Sequence, residues 1–149
     1  MMKRTAAAAL VFAAVLLCAC GGNPGPEATP TPTASAPIES RIAAYADADV
    51  TEEDNQLVIG IRIGEADMDE ACGRFFGQAA DIYTHCVSGA EYTGVSFSLL
   101  RGGRVVCSFF VLPDEGGMQV FEPAVFDEAY EEAVFAAFYD SAFARSLQD

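Results

Sequence analysis

The sequence predicts an α+β domain: a mainly antiparallel sheet of four to five strands with two helices, in two layers and in the order β-β-α-β-β-(β)-α. Three observations lead there. Apolar runs with period two lie on either side of short polar or glycine turns. A long segment between two such pairs repeats at helical spacing, and a second helical stretch closes the chain. Strand pairs set apart by helices point to a sheet of hairpins carrying its helices as a separate layer.

The folded part is expected to begin near Arg41. In "RIAAYADADV" Ile42, Ala44, Ala46, Ala48 and Val50 alternate with Tyr45, Asp47 and Asp49, which is strand patterning; a short helix is the rival reading, because alanine is a poor strand former. "TEEDNQ" reads as a polar turn and "LVIGIRI", residues 57–63, as a strand, so the two runs make a hairpin. Asp67 followed by Glu70 resembles the start of a capping box, and Met68, Cys72, Phe75, Phe76, Ala79, Ile82, Tyr83 and Cys86 then recur at helical spacing up to Gly89, a helix stop.

"YTGVSFSLL" and "RVVCSFFVL" are two further strands around "RGG". A three-residue loop, 101–103, opposes Leu99 to Val105, Phe97 to Cys107 and Val95 to Phe109, one apolar row; a two-residue Gly-Gly turn opposes Leu99 to Val106 and mixes the faces. "PDEGG" is a turn and "MQVFE" a short edge strand. Pro123 is expected to open a final helix with Phe126, Tyr130, Ala133 and Ala137 on the stripe that meets the sheet.

With 149 residues there is room for one small domain plus its termini. The formal charge is −14, and beyond Lys3 and Arg4 only six of the eight basic residues remain against 22 acids. Such a chain repels polyanions, which excludes nucleic acid as a partner, and charge does not hold it to anionic lipid. The acids otherwise read as a solvated surface.

Residues 1–20 have the layout of an export signal: a basic start, an apolar stretch over 6–17, then small residues. Twelve residues of helix extend about 18 Å, short of the roughly 30 Å that a spanning helix must cross. The stretch Leu17-Cys18-Ala19-Cys20 resembles the lipobox of bacterial lipoproteins, with Leu17 at the aliphatic position and Ala19 at the small one before Cys20. Cys18 does not fit as the modified cysteine, because Leu17 then occupies the small position. The resemblance implies cleavage between Ala19 and Cys20, a diacylglyceryl thioether on Cys20, loss of Cys18 with the signal, and a lipid-anchored chain on the extracytoplasmic side of the cell membrane. Two acyl chains give lasting attachment where one is marginal. The organisation expected is thus 1–19 signal peptide, 20–40 lipidated cysteine and Pro/Thr/Ala-rich tether, and 41–149 folded domain. The tether holds five of the seven prolines and cannot bury a core.

The folded part offers little chemistry. His85 is the one histidine, and its neighbour Cys86 points about 100° away around a helix, so they do not pair as base and thiolate. No nucleophile elbow, P-loop or dinucleotide motif is present. Cys72, Cys86 and Cys107 fall on core faces: three inert thiols are favoured over one disulfide to Cys107, and that over a redox site. A calcium loop starting at Asp47 fails at its sixth and twelfth positions, Glu52 and Val58, leaving irregular cation binding by Asp47, Asp49, Glu52, Glu53 and Asp54 as an alternative. Gly73 and Gly77, one helical turn apart, suggest close approach to the sheet, or a helix-pairing surface.

No catalytic residue, metal or cofactor is expected. Arg62, Ser96, Ser98 and Ser108, with Gly60, are the candidate ligand face, on the side of the sheet away from its helices. Phe135 and Tyr139, with Ala142, lie opposite the final helix's stripe: they are buried against the first helix or form a partner face. The function expected is a non-catalytic accessory domain that binds an envelope protein, with capture of a small ligand or calcium as the alternative.

Overall fold

The computed structural model describes residues 36–64, 66–115 and 117–146. They form an α+β domain with one mixed sheet and its helices on one side, so the predicted class and its two layers hold. The expected signal peptide with Leu17, Cys18 and Ala19, the expected lipidation site Cys20 and most of the expected tether lie outside the described residues.

Helix α1 (Ile38–Ile42) comes first, then strands β1 (Ala48–Glu53) and β2 (Gln56–Arg62) and helix α2 (Met68–Ile82). Strands β3 (Gly94–Arg101), β4 (Arg104–Asp114), β5 (Gly117–Val120) and β6 (Ala124–Val125) follow, then helices α3 (Glu131–Asp140) and α4 (Ala142–Ser146). The spatial order is β1-β2-β3-β4-β5, with β6 also on β4. All these pairs are antiparallel except β2 and β3, which run parallel. That exception follows from α2, which carries the chain back across the sheet between them.

Two elements differ from expectation at the start of the fold. Residues 38–42 are helical, burying Ile38 and Ile42 four positions apart, so the folded part begins before Arg41. The strand begins at Ala48 and takes in Thr51, Glu52 and Glu53, which had read as turn. The turn itself is Asp54-Asn55, both with positive φ (51° and 61°), the geometry of a two-residue hairpin connection that follows the sheet's twist.

Helix α2 starts as predicted. The Asp67 carboxylate accepts from the Glu70 N–H at 2.9 Å, satisfying one of the first turn's free donors. Ala71, Cys72, Phe75, Phe76, Ala79 and Ile82 are buried. The last turn widens so that the Ser88 N–H donates to the Tyr83 carbonyl at 2.7 Å, and Gly89, at φ 84°, ends it. Gly73 and Gly77 face outward, not toward the sheet: both are exposed, and a Cβ at either meets no atom within 4 Å.

The β3–β4 hairpin uses the two-residue turn, Gly102 and Gly103 at φ 56° and 75°, with Arg101 opposite Arg104. It avoids mixing the faces by a bulge: Leu100 pairs with Val105 and Leu99 with Cys107, leaving Val106 as the extra residue. Phe97 then opposes Phe109 and Val95 opposes Val111, a coherent row reached by a different register from the expected one. "MQVFE" supplies the short strand β5. Pro123 leads into β6 rather than a helix; the helical path starts later, where the Asp127 carboxylate caps a single 3₁₀ turn, Glu128–Tyr130, ahead of α3. The phase of α3 shifts accordingly. Val134 and Phe138 are its buried residues; Tyr130, Ala133 and Ala137 flank them, and Phe126 is 64% exposed.

The core lies between sheet and helices, and Phe109 is at its centre. Its ring meets those of Phe75, Phe76, Phe97, Phe138 and Phe143 with centroids 4.8–6.3 Å apart. Contributions therefore come from α2, β3, α3 and α4, which join one cluster.

Candidate functional site: the open sheet face

Period two divides each strand between the core and the opposite side. Leu57, Ile59, Ile61, Val95, Phe97, Leu99, Phe109 and Val111 are buried under the helices. The alternate residues Val58, Arg62, Ser96, Ser98, Leu100, Ser108, Phe110 and Leu112 form the other face, and no described element lies over it.

Register brings the candidate serines together. Ser98 opposes Ser108, and their hydroxyl oxygens are 2.7 Å apart, one donating to the other; Ser96 lies two positions away, opposite Phe110. On the parallel side, Ser96 adjoins Val58 and Ser98 adjoins Gly60. Each glycine on this face makes room for a large neighbour: a Cβ on Gly60 falls 2.7 Å from Leu100 Cδ1, and one on Gly94 falls 2.4 Å from Phe110 Cζ. Leu100 and Phe110 thus lie flat, leaving a level surface on which Val58 and Phe121 are 44% and 43% exposed.

Arg62 sits at the corner of the same face, but its charge is already engaged. Nη1 donates to Asp47 Oδ1 at 2.7 Å and Nη2 to Asp49 Oδ1, which raises its pKa. The alternation of Asp47, just before β1, and Asp49 on β1 carried this signal, and the sequence reading missed it. The two carboxylates, Arg62, Leu100, Gly102 and Gly103 border an open groove of about 470 Å³.

The acids of the alternative cation site disperse. Asp47 and Asp49 hold Arg62, while Glu52 accepts from the Tyr92 hydroxyl at 3.2 Å on the other side of β1. Among the described residues no three acidic, histidine or cysteine side chains gather as metal ligands.

Cys72, Cys86 and Cys107 are buried and free. Burial pushes the Cys72 thiol up to about 11, with Asp69 adding and Arg101 opposing, and the Cys107 thiol up to about 12, with Cys72 adding. Thiols held protonated in this way are poor nucleophiles. His85 is exposed on the helical side, its ring stacked on Tyr45 at 5.3 Å and 5°. It is not among the serines. Phe135 and Tyr139 stack on α3 at 6.1 Å; Phe135 is half-buried, whereas Tyr139 is 54% exposed and donates to Glu122 Oε1 at 2.6 Å. Neither is on the open face.

The open face offers hydroxyl hydrogen bonding, apolar area and a carboxylate-bound guanidinium, a set suited to binding. No protein-family model, curated protein or solved structure matches this chain. Among the described residues no helix is long and apolar enough to cross a membrane.

Proposed function

We propose that this chain is a bacterial lipoprotein, anchored through lipid on Cys20, whose folded domain acts without catalysis by binding a protein of the cell envelope. The observation that carries the binding half is the open sheet face, which leaves Val58 and Phe121 in water beside Phe110, Leu112 and the serine cluster. Exposed apolar groups gathered on one surface, with a polar fringe, mark interaction sites. The anchoring half rests on the spacing of Leu17, Ala19 and Cys20 after the apolar run. A small-ligand reading has weaker support, because two carboxylates already occupy Arg62 at the groove.

Both halves are testable in cells. Replacing Cys20 with alanine is expected to move the protein from the membrane to the soluble fraction and to remove a diacylglyceryl mass from the mature N-terminus. Unchanged partition with no lipid on the parent chain overturns the anchor. Crosslinking of the anchored chain in intact envelopes is expected to give a discrete protein adduct. Turnover of generic hydrolase substrates by the purified chain, absent when Ser98 and Ser108 are alanine, overturns the non-catalytic reading.

A further inference from the structure

The open face also indicates the chemistry of what covers it. Parallel strand pairs normally have both faces buried, because their crossovers bring helices to the sheet. Here β2 and β3 are parallel and central, yet α2, α3 and α4 all pack on one side. The other side has what a second layer needs. Leu100 and Phe110 fill the spaces over Gly60 and Gly94, and Phe110 and Phe121 have ring centroids 6.1 Å apart.

Apart from Arg62, the charged groups around this level surface are acidic. By alternation Asp49 and Glu53 of β1 and Asp114 of β4 belong to the open face, and Asp47 adjoins it. Arg62, the cation at this corner, is bound to Asp47 and Asp49 and does not offset the rest. An occupant must therefore supply apolar side chains over Val58, Phe110 and Phe121, tolerate the serines between them, and carry positive charge at its flanks. A second copy fits poorly, since the helix layer exposes Asp69, Glu70, Asp81, Glu131, Glu132 and Asp140 against only Arg74 and Arg145.

Resting on the partner-binding reading, we propose that the open face docks an amphipathic helix of the partner, with leucine-like residues against Val58, Phe110 and Phe121 and Lys or Arg beside Glu53 and Asp114. A helix presents such a stripe at i, i+3, i+4 and i+7. It completes the missing layer, and opposite charge fixes its register and speeds encounter.

The test uses the full lipidated chain in phosphatidylcholine nanodiscs, with empty discs as the blank. It is titrated with two 18-residue helical probe peptides of the same apolar pattern, one Leu/Lys and one Leu/Glu. The Leu/Lys peptide is expected to bind, and the Leu/Glu peptide not to. Val58→Lys with Phe121→Lys is expected to weaken binding at least about tenfold, as for loss of a central apolar anchor. Glu128→Lys with Glu132→Lys, which places two lysines on the helix side and shifts the net charge by four rather than two, is expected to change it less than about threefold. Should the lysine pair unfold the domain by circular dichroism, Val58→Thr with Phe121→Ser serves instead, with loss again expected. Equal loss from the helix-layer pair, equal binding of both peptides, no binding, or a dimer crosslinked through position 58 each overturns the proposal. An envelope adduct mapping to the helix layer overturns it too, yet leaves the partner-binding reading standing.

Discussion

At the level of single residues, Cys72 and Cys107 show how a fold can keep thiols inert. Cys72 on α2 and Cys107 on β4 are both fully buried, and their thiols are pushed up to about 11 and about 12. In the unfolded chain both return toward the ordinary thiol range, about 8.5. A raised pKa means that the fold holds the neutral form. The contribution is thus complete below the unfolded pKa and is lost as pH rises through the folded values, here between about 9 and about 12. Urea unfolding followed from pH 8 upward is expected to show stability falling, and the Cys72→Ala, Cys107→Ala double variant is expected to fall less steeply. Tyr83, Tyr92 and Tyr139, also raised, titrate in both proteins and leave the difference intact. Parallel curves for the two proteins count against the account. The open face makes a second residue-scale point: Ser96, Ser98 and Ser108 could be placed on one side by counting alone, because period two survives any register that keeps parity. The engagement of Arg62 needed the hairpin's register as well as its pairing, and the expected turn over 51–56 concealed it.

Among the elements, legibility followed the strength of the period. "LVIGIRI" and the stretch from Met68 have patterns that only one structure satisfies, and both formed as expected. Of the strand expected over 41–50 only 48–50 formed one; alanine fits a helix and a strand alike, and burial of Ile38 and Ile42 favoured a short helix at the start. The β3–β4 register failed for another reason: a bulge at Val106 corrects a two-residue turn, and nothing local announces a bulge. The final helix was misphased because Pro123 drew its start forward, although Asp127 is the residue that caps. The parallel β2–β3 pairing is a tertiary fact. Gly73 and Gly77 sit inside a 15-residue helix with negative φ, exposed, and with open space where a Cβ would go. Glycine costs a helix interior about 1 kcal/mol relative to alanine. Gly73→Ala and Gly77→Ala are therefore expected to stabilise the fold by about 1 kcal/mol each, raising Tm by roughly 4–8 °C per substitution for a domain near this size. A lowered Tm for either means that the helix face is tighter than its open surroundings indicate.

For the molecule as a whole, charge sets stability against the docking proposed above. Beyond Arg4 the chain has 22 acids and six arginines, and the ion pairs of Arg62 with Asp47 and Asp49 are exposed ones. Exposed pairs contribute little, whereas net charge far from zero destabilises a compact state by self-repulsion. Repulsion acts over the Debye length, about 30 Å at 0.01 M salt and about 8 Å at 0.15 M, so added salt removes more repulsion than attraction. The midpoint of urea unfolding is expected to rise as sodium chloride is raised from about 0.01 M to about 0.15 M. Docking of a cationic helix on the open face is expected to weaken over the same range, because the carboxylates that repel one another are also those that attract it. A midpoint that falls with salt, in step with the binding, means that local pairs such as Arg62 with Asp47 outweigh the global repulsion. Opposite slopes mean that the acidic surface is retained at a cost to the fold, for the encounter it steers.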